Sequence, residues 1–274
     1  MEKKFHGNFT QQDGLPEIAI ERATRVLRSG RLHRYNLGKD EIGEVGSLEL
    51  EFAKFINVKY CLAVASGGYT LSTALRALGV GHGDNVLTNA FTLAPVPGAI
   101  ASVGATPIFV GVTENLVIDL DDLEVKSQNA KVLMLSHMRG HICDMDRLLS
   151  ICASNNIQLI EDCAHTMGAK WKDRWSGTDG VIGCYSTQTY KHINSGEGGL
   201  LVTNNPDIMA KATMLSGSYM LYDRHPAGPE KKYYDLIKYE FPNISGRMDH
   251  LRASILRPQL DDLMERVAKW NELY

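Results

Sequence analysis

The decisive stretch reads Gln158-Leu-Ile-Glu-Asp162-Cys-Ala-His165 and resumes at Cys184-Tyr-Ser186-Thr-Gln-Thr-Tyr-Lys191-His-Ile-Asn-Ser-Gly196-Glu-Gly198-Gly199. Apolar runs at 159–162, 181–185 and 200–203 lie in and beside it. Each is short and apolar on both faces, the pattern of a strand covered from both sides. One run ends in an acid. Another is followed by a serine and a lysine, and a glycine-rich turn comes next.

Outward from this stretch the alternation continues. Strand-like runs stand at 61–65, 85–87, 107–112 and 132–135, and helical stretches at 71–78, 97–103, 145–154 and 207–215. Strands alternating with helices predict a mainly parallel sheet with helices on both faces. Ligands of such sheets bind at the carboxyl ends of the strands. Ser66-Gly67-Gly68, Asn89 to Thr92, His137 and Asp162 all fall there. Before the first strand, 15–27 reads as a helix stopped near Ser29-Gly30, and 47–55 as another with Ser47 as its N-cap. The polar stretch 222–232, with Pro226, Gly228 and Pro229, reads as a mobile loop. Met248, Leu251, Ile255, Leu263, Val267 and Trp270 form a last helical stripe, expected to kink at Pro258. That pattern has no cap where the sequence stops at Tyr274, which suggests a continuation.

Bulk properties narrow the class. With 274 residues, 44% hydrophobic and 22% charged, the chain has material for a real core. A net charge of -3 gives no general affinity for nucleic acid or anionic membranes. No apolar run approaches spanning length, and Met1-Glu-Lys-Lys-Phe-His lacks the apolar core of a signal peptide. A cytoplasmic location is the default expectation. Five cysteines at 61, 143, 152, 163 and 184 form no Cys-x-x-Cys pair, so neither a disulfide framework nor a zinc ribbon is expected. His137 and His141 have ligand spacing, but Gly140 and the preceding strand argue for a loop, and no metal site is expected.

The polar residues suit an enzyme that holds an aromatic aldehyde cofactor on a lysine. Lys191 is the candidate amine; desolvation or nearby cations would depress its pKa. Alone it also reads as a solvated loop lysine. Asp162 can pair with a ring nitrogen, or simply cap the next turn; of Glu161 and Asp162, one must face the ligand. His165 can bond a ring hydroxyl or serve as a satisfied structural histidine. Ser66-Gly67-Gly68 joins a strand to a helix read as starting near Leu71. Its amides make a phosphate cup, unless the glycines are plain turn residues. Ser186 can add a hydroxyl to the same phosphate. A Cys163 nucleophile beside His165 is a rival reading, though no oxyanion hole is visible.

In these motifs the chain resembles the DegT/StrS family of pyridoxal-phosphate-dependent sugar aminotransferases. The residues that carry the resemblance are Leu27-Arg-Ser-Gly30, Ser66-Gly67, Phe91-Thr92, Gly104 to Phe109, Asp144-Met-Asp146, Glu161 to His165, Ser186 to Lys191, Gly196 to Gly199 and Arg247-Met248. The resemblance implies a three-layer α/β/α, aspartate-aminotransferase-like fold (fold type I) with a seven-stranded, mostly parallel sheet. Residues 1–246 would be the large cofactor-binding domain, and 247–274 a connecting helix into a C-terminal domain that is mostly absent. It implies pyridoxal 5′-phosphate as cofactor, Lys191 as Schiff-base lysine, Asp162 as partner of the pyridine nitrogen and His165 near O3′. Ser66, Ser186, Gly67 and Gly68 would hold the phosphate. Members are usually dimers with shared active sites, and Arg247 sits where the neighbouring subunit reaches the phosphate.

Two substitutions depart from the pattern. Gly68-Tyr69 replaces a Thr or Ser followed by Ala, removing a phosphate-binding hydroxyl. Leu93 stands where an aromatic ring commonly stacks on the cofactor, so the stacking is either lost or replaced by an apolar contact. The retained Lys191 argues against the dehydratase branch, where histidine replaces the lysine. The expected activity is transfer of an amino group from glutamate or glutamine to a keto group on a nucleotide-linked sugar or cyclitol. The alternative is a chain of this fold that binds cofactor without turnover.

Overall fold

The computed structural model describes residues 7–8 and 12–273. Met1 to His6, read against a signal peptide, and Tyr274, where the last helical stripe stops, lie outside the described residues. Nine strands and ten α-helices follow one another along the described chain. They are α1 (Glu17–Ser29), α2 (Glu44–Phe55), β1 (Tyr60–Val64), α3 (Gly67–Ala77), β2 (Asn85–Asn89), α4 (Pro95–Ser102), β3 (Thr106–Val110), α5 (Leu120–Lys126), β4 (Val132–Ser136) and α6 (Met145–Ser154). There follow β5 (Gln158–Asp162), β6 (Lys170–Trp171), β7 (Arg174–Trp175), β8 (Ile182–Ser186), β9 (Gly199–Thr203), α7 (Pro206–Leu215), α8 (Lys231–Asp235), α9 (His250–Asp261) and α10 (Leu263–Leu273).

Seven strands form one sheet in the order β1-β9-β8-β5-β4-β2-β3. Only β9 runs against its neighbours; the other pairings are parallel. Strand periodicity explains the layers. Leu62, Val64, Val132, Met134, Ile160, Ile182 and Cys184 face α3, α4 and α7. Cys61, Ala63, Tyr185 and Leu200 face α2 and α9 on the other side. Leu133, Leu135 and Leu159 pack with α5 and α6. These strands thus bury both faces, as the uniform apolar runs predict. The short hairpin β6–β7 is not legible in the sequence; two residues per strand carry no period.

Two helix starts differ from the sequence reading by a turn. Helix α2 starts at Glu44, after Gly43, so Ser47 lies inside its first turn and is not the cap; its amide bonds the Gly43 carbonyl at 3.0 Å. Helix α3 starts at Gly67, because the Ser66 hydroxyl accepts from the Tyr69 amide at 3.1 Å and caps the helix four residues early. Pro258 lies inside α9, and the last stripe is divided at Asp262, between α9 and α10. The stretch 222–232, read as a mobile loop, is anchored at buried Tyr222, His225 and Ala227, while most of its other residues are exposed. Tyr222 stacks on buried Tyr234 at 4.6 Å, and the Ala227 carbonyl accepts from the Cys61 amide.

A buried polar knot holds that stretch. Arg34 and Glu49 form two 2.7 Å bonds, and Glu49 also accepts from the Ala63 amide of β1. Arg34 Nη2 lies 2.8 Å from His225 Nδ1, and Tyr35 Oη lies 2.8 Å from His225 Nε2. Burial holds the His225 ring well below its ordinary pKa, with the Arg34 charge adding to it. Among the described residues no helix is long and apolar enough to cross a membrane.

Candidate active site

Strand parity builds the site. Ser136, Asp162 and Ser186 each stand two residues beyond a side chain that faces α3, so all three continue the same face at the strands' carboxyl ends. The N-terminus of α3 closes over them. β1 is separated from β8 by β9, so the loop after β1 must cross the start of β9. Gly199 permits this: a Cβ there would lie 2.5 Å from the Ser66 carbonyl oxygen. Gly67 permits the next approach, since its Cβ would lie 2.7 Å from Ser186 Cβ. The first amides of a helix have no intrahelical partner, so those of Gly67 and Gly68 stand free at the positive end of α3.

The resulting cavity holds about 390 Å³. Eight of the nine expected site residues line it: Ser66, Gly67, Gly68, Leu93, Asp162, His165, Ser186 and Lys191. Arg247 does not line the cavity of its own chain. Its guanidinium bonds the Gly217 carbonyl at 2.6 Å and stacks 4.6 Å from the Tyr219 ring centre. Ser66 serves two ends, as cap of α3 and as cavity wall. At Gly68 the space is open: a methyl group there would meet nothing nearer than 4.0 Å, the distance to Pro95 and Ser66.

The two adjacent acids divide their work. Asp162 faces the cavity and accepts from Ser136 Oγ at 3.0 Å and the Ala164 amide at 3.2 Å. Burial pushes its pKa up, against those bonds and the nearby His137 and Lys191. Glu161 faces the other way. It pairs with His137 Nε2 at 3.0 Å and accepts from the amides of Gly177, Asp179 and Gly180. Burial alone would raise its pKa; His137 and the amides outweigh it and hold the group low. His137, Glu161 and Cys163 bring ligand atoms within 4.8 Å of one another, but those of Glu161 are already taken.

Lys191 Nζ lies 2.8 Å from His165 Nε2. Burial lowers the lysine pKa and the Arg139 charge adds to that, while Asp162 opposes it. The His165 ring falls to about 4, through burial and then the charges of Lys191 and Arg139. The lysine loop is held from α9. Fully buried Gln259 accepts from the Asn194 amide at 3.0 Å and donates to the Asn194 carbonyl at 2.7 Å. The thiol reading of Cys163 fails on position. The sulfur is fully buried in the layer toward α2 and α9, its pKa is raised by burial, and Ser176 donates to it at 3.2 Å.

Sequence reasoning missed Ser136, Glu161's role, Gln259 and Arg139. Ser136 and Glu161 had a usable signal in strand parity, whereas Gln259 and Arg139 had none.

The match to known proteins decides the family. A model of the DegT/DnrJ/EryC1/StrS aminotransferase family matches residues 16–274. The chain belongs to this family. GDP-perosamine synthase of Escherichia coli O157:H7 is 33% identical over 235 residues, which cover 84% of this chain and 62% of that one. A putative L-glutamine:3-amino-2,3-dideoxy-scyllo-inosose aminotransferase of Micromonospora echinospora is 36% identical over 212 residues, 77% of this chain and 49% of that one. This family member therefore spans about half to three-fifths of the length of those relatives. The crystal structure of 3-amino-5-hydroxybenzoic acid synthase superposes with a TM-score of 0.82 at 28% identity, over 97% of this chain and 66% of that one. The fold expected of the family, a three-layer α/β/α unit on a seven-stranded, mostly parallel sheet, is the fold observed.

Proposed function

We propose that this chain binds pyridoxal 5′-phosphate and moves an amino group from glutamate or glutamine to a keto group on a nucleotide-linked sugar or cyclitol. One observation carries the reading: Lys191, Asp162 and the open end of α3 line a single cavity. The residues fit the cofactor. Gly67 leaves a cradle that a Cβ would fill against Ser186, and two helix-end amides there lack partners. When bound, the cofactor supplies an aldehyde that carries the amino group and a ring that takes up the donor's electron pair.

The chain's own groups divide the remaining work. The Gly67 and Gly68 amides and the Ser186 hydroxyl donate to the phosphate. Asp162 holds a proton on the ring nitrogen, and Ser136 and the Ala164 amide fix the carboxylate that does so. Lys191 Nζ tethers the aldehyde and, when free, carries the proton from the donor's Cα. Leu93, 43% exposed, lines the cavity and would offer the ring an aliphatic surface. Residues 1–246 act as the cofactor-binding unit, and the helices from 247 brace it through Gln259.

The relatives' names support the substrate class, one being a GDP-sugar synthase and one a glutamine:inosose aminotransferase. Arg247, turned out of its own cavity, supports a dimer in which it reaches the neighbour's phosphate. The chemistry fits a cytoplasmic biosynthetic enzyme.

Reduction of the cofactor-treated protein with borohydride, followed by peptide mass mapping, tests the assignment. The label should fall on Lys191, and Lys191→Ala should lose both the label and the cofactor's visible band. A label on another lysine would overturn the reading. Addition of glutamate or glutamine then separates turnover from binding: a spectrum that does not shift leaves a cofactor-binding chain without transfer.

A further inference from the structure

The geometry points to a positioning role for Arg139: through His165, its backbone amide keeps the Lys191 amine uncharged and ready to attack an aldehyde. This deepens the reading above, in which Lys191 tethers the cofactor.

The argument is one of donors and acceptors. The Arg139 amide lies 3.1 Å from His165 Nδ1. A backbone N–H can only donate, so Nδ1 presents a lone pair. A neutral imidazole then carries its proton on Nε2. That proton faces Lys191 Nζ at 2.8 Å. An ammonium has no lone pair and would set donor against donor. A neutral amine accepts the bond. The chain of contacts therefore selects the unprotonated lysine, which is also the nucleophilic form.

The local backbone is bent to supply this amide. Arg139 sits in the left-handed region at φ 57° and ψ 20°, in the tight turn that follows β4. A bulky residue rarely adopts that conformation without a reason. Gly140, at φ 88°, continues the turn, and its amide bonds the His137 carbonyl. The groups facing the lysine agree with the assignment. Burial is the main force holding the lysine pKa down; Asp162 favours the ammonium, the Arg139 guanidinium opposes Asp162 less strongly, and His165 and His192 are held neutral. Glu197 lines the same cavity from the glycine turn.

The test uses the cofactor-free full chain, so it does not depend on cofactor binding. Nitrogen-15 NMR of the histidine rings, with His165→Gln to assign the signal, should find the His165 proton on Nε2 at pH 7. A proton on Nδ1 overturns the proposal. The pH dependence of Lys191 carbamoylation by cyanate, read by peptide mass, should show a depressed pKa. His165→Gln offers a side chain that can turn its oxygen to an ammonium, so the lysine pKa should rise. One unit of rise cuts the free amine about tenfold below the pKa. Arg139→Gly keeps the amide and the left-handed backbone; it should preserve the tautomer and raise the lysine pKa by less. Lys191 reactivity unchanged in His165→Gln overturns the link to the lysine, even with the tautomer as expected. Borohydride trapping on the wild-type chain tests the cofactor reading separately.

Discussion

Gly67 and Gly68 are neighbours with opposite tolerances. A methyl at 67 meets Ser186 at 2.7 Å, with the Ser186 backbone close behind, so the contact cannot be relieved by a rotamer change alone. Gly67→Ala should weaken cofactor binding by roughly 1–3 kcal/mol, about five- to 150-fold, in an absorbance titration. At 68 a side chain meets open space. Gly68→Ser adds a hydroxyl where the α3 amides already converge, and a bond to a charged phosphate is worth about 1.5–3 kcal/mol. The same titration should show about tenfold tighter binding or better. Weaker binding in Gly68→Ser would mean that the phosphate does not sit at this end of α3.

Strands were readable because their side chains alternate between two apolar layers. The same parity, applied to the last residue of each run, separates Asp162 from Glu161 and sets Ser136 and Ser186 beside Asp162. Lys191 and the glycine loop could be found from their order along the chain. Gln259 could not, because its partner lies 65 residues away and a glutamine in a helix carries no signal. Arg139 acts through its backbone, which no residue type reveals. Helix starts at Glu44 and Gly67 were misread because apolar periodicity begins after the first turn, whereas the cap sits before it. The Gln259 clamp links α9 to the lysine loop, and Gln259→Leu strands both Asn194 groups. About 1–3 kcal/mol per stranded group should appear as a lower urea midpoint, together with faster loss of bound cofactor. Gln259→Glu keeps one of the two bonds and should fall between. If Gln259→Leu loses stability but retains cofactor normally, α9 braces the fold without steering Lys191.

Across the molecule, several partly or fully buried histidines are held neutral. His225, buried in the Arg34–Glu49 knot, is held well below its ordinary pKa, and His165 and His192 fall to about 4. Above the ordinary histidine pKa of about 6.5, folded and unfolded chains are both neutral at these rings and stability is complete. Below it the unfolded chain takes up protons that the folded chain refuses. Stability should fall as pH drops through 6.5, by about 1.4 kcal/mol per pH unit for His225 alone. Urea midpoints at pH 8, 6 and 5 check this, and equal midpoints at all three would refute it.

Tyr69 and Gly246 stand 177 positions apart in sequence, yet they share one volume. The Tyr69 hydroxyl bonds the Leu215 carbonyl at 2.8 Å, and its ring fills the space that any side chain at 246 would need. A side chain gained beside Arg247 therefore requires the Tyr69 ring to move or to be lost, so substitutions at these two distant positions are not independent of each other.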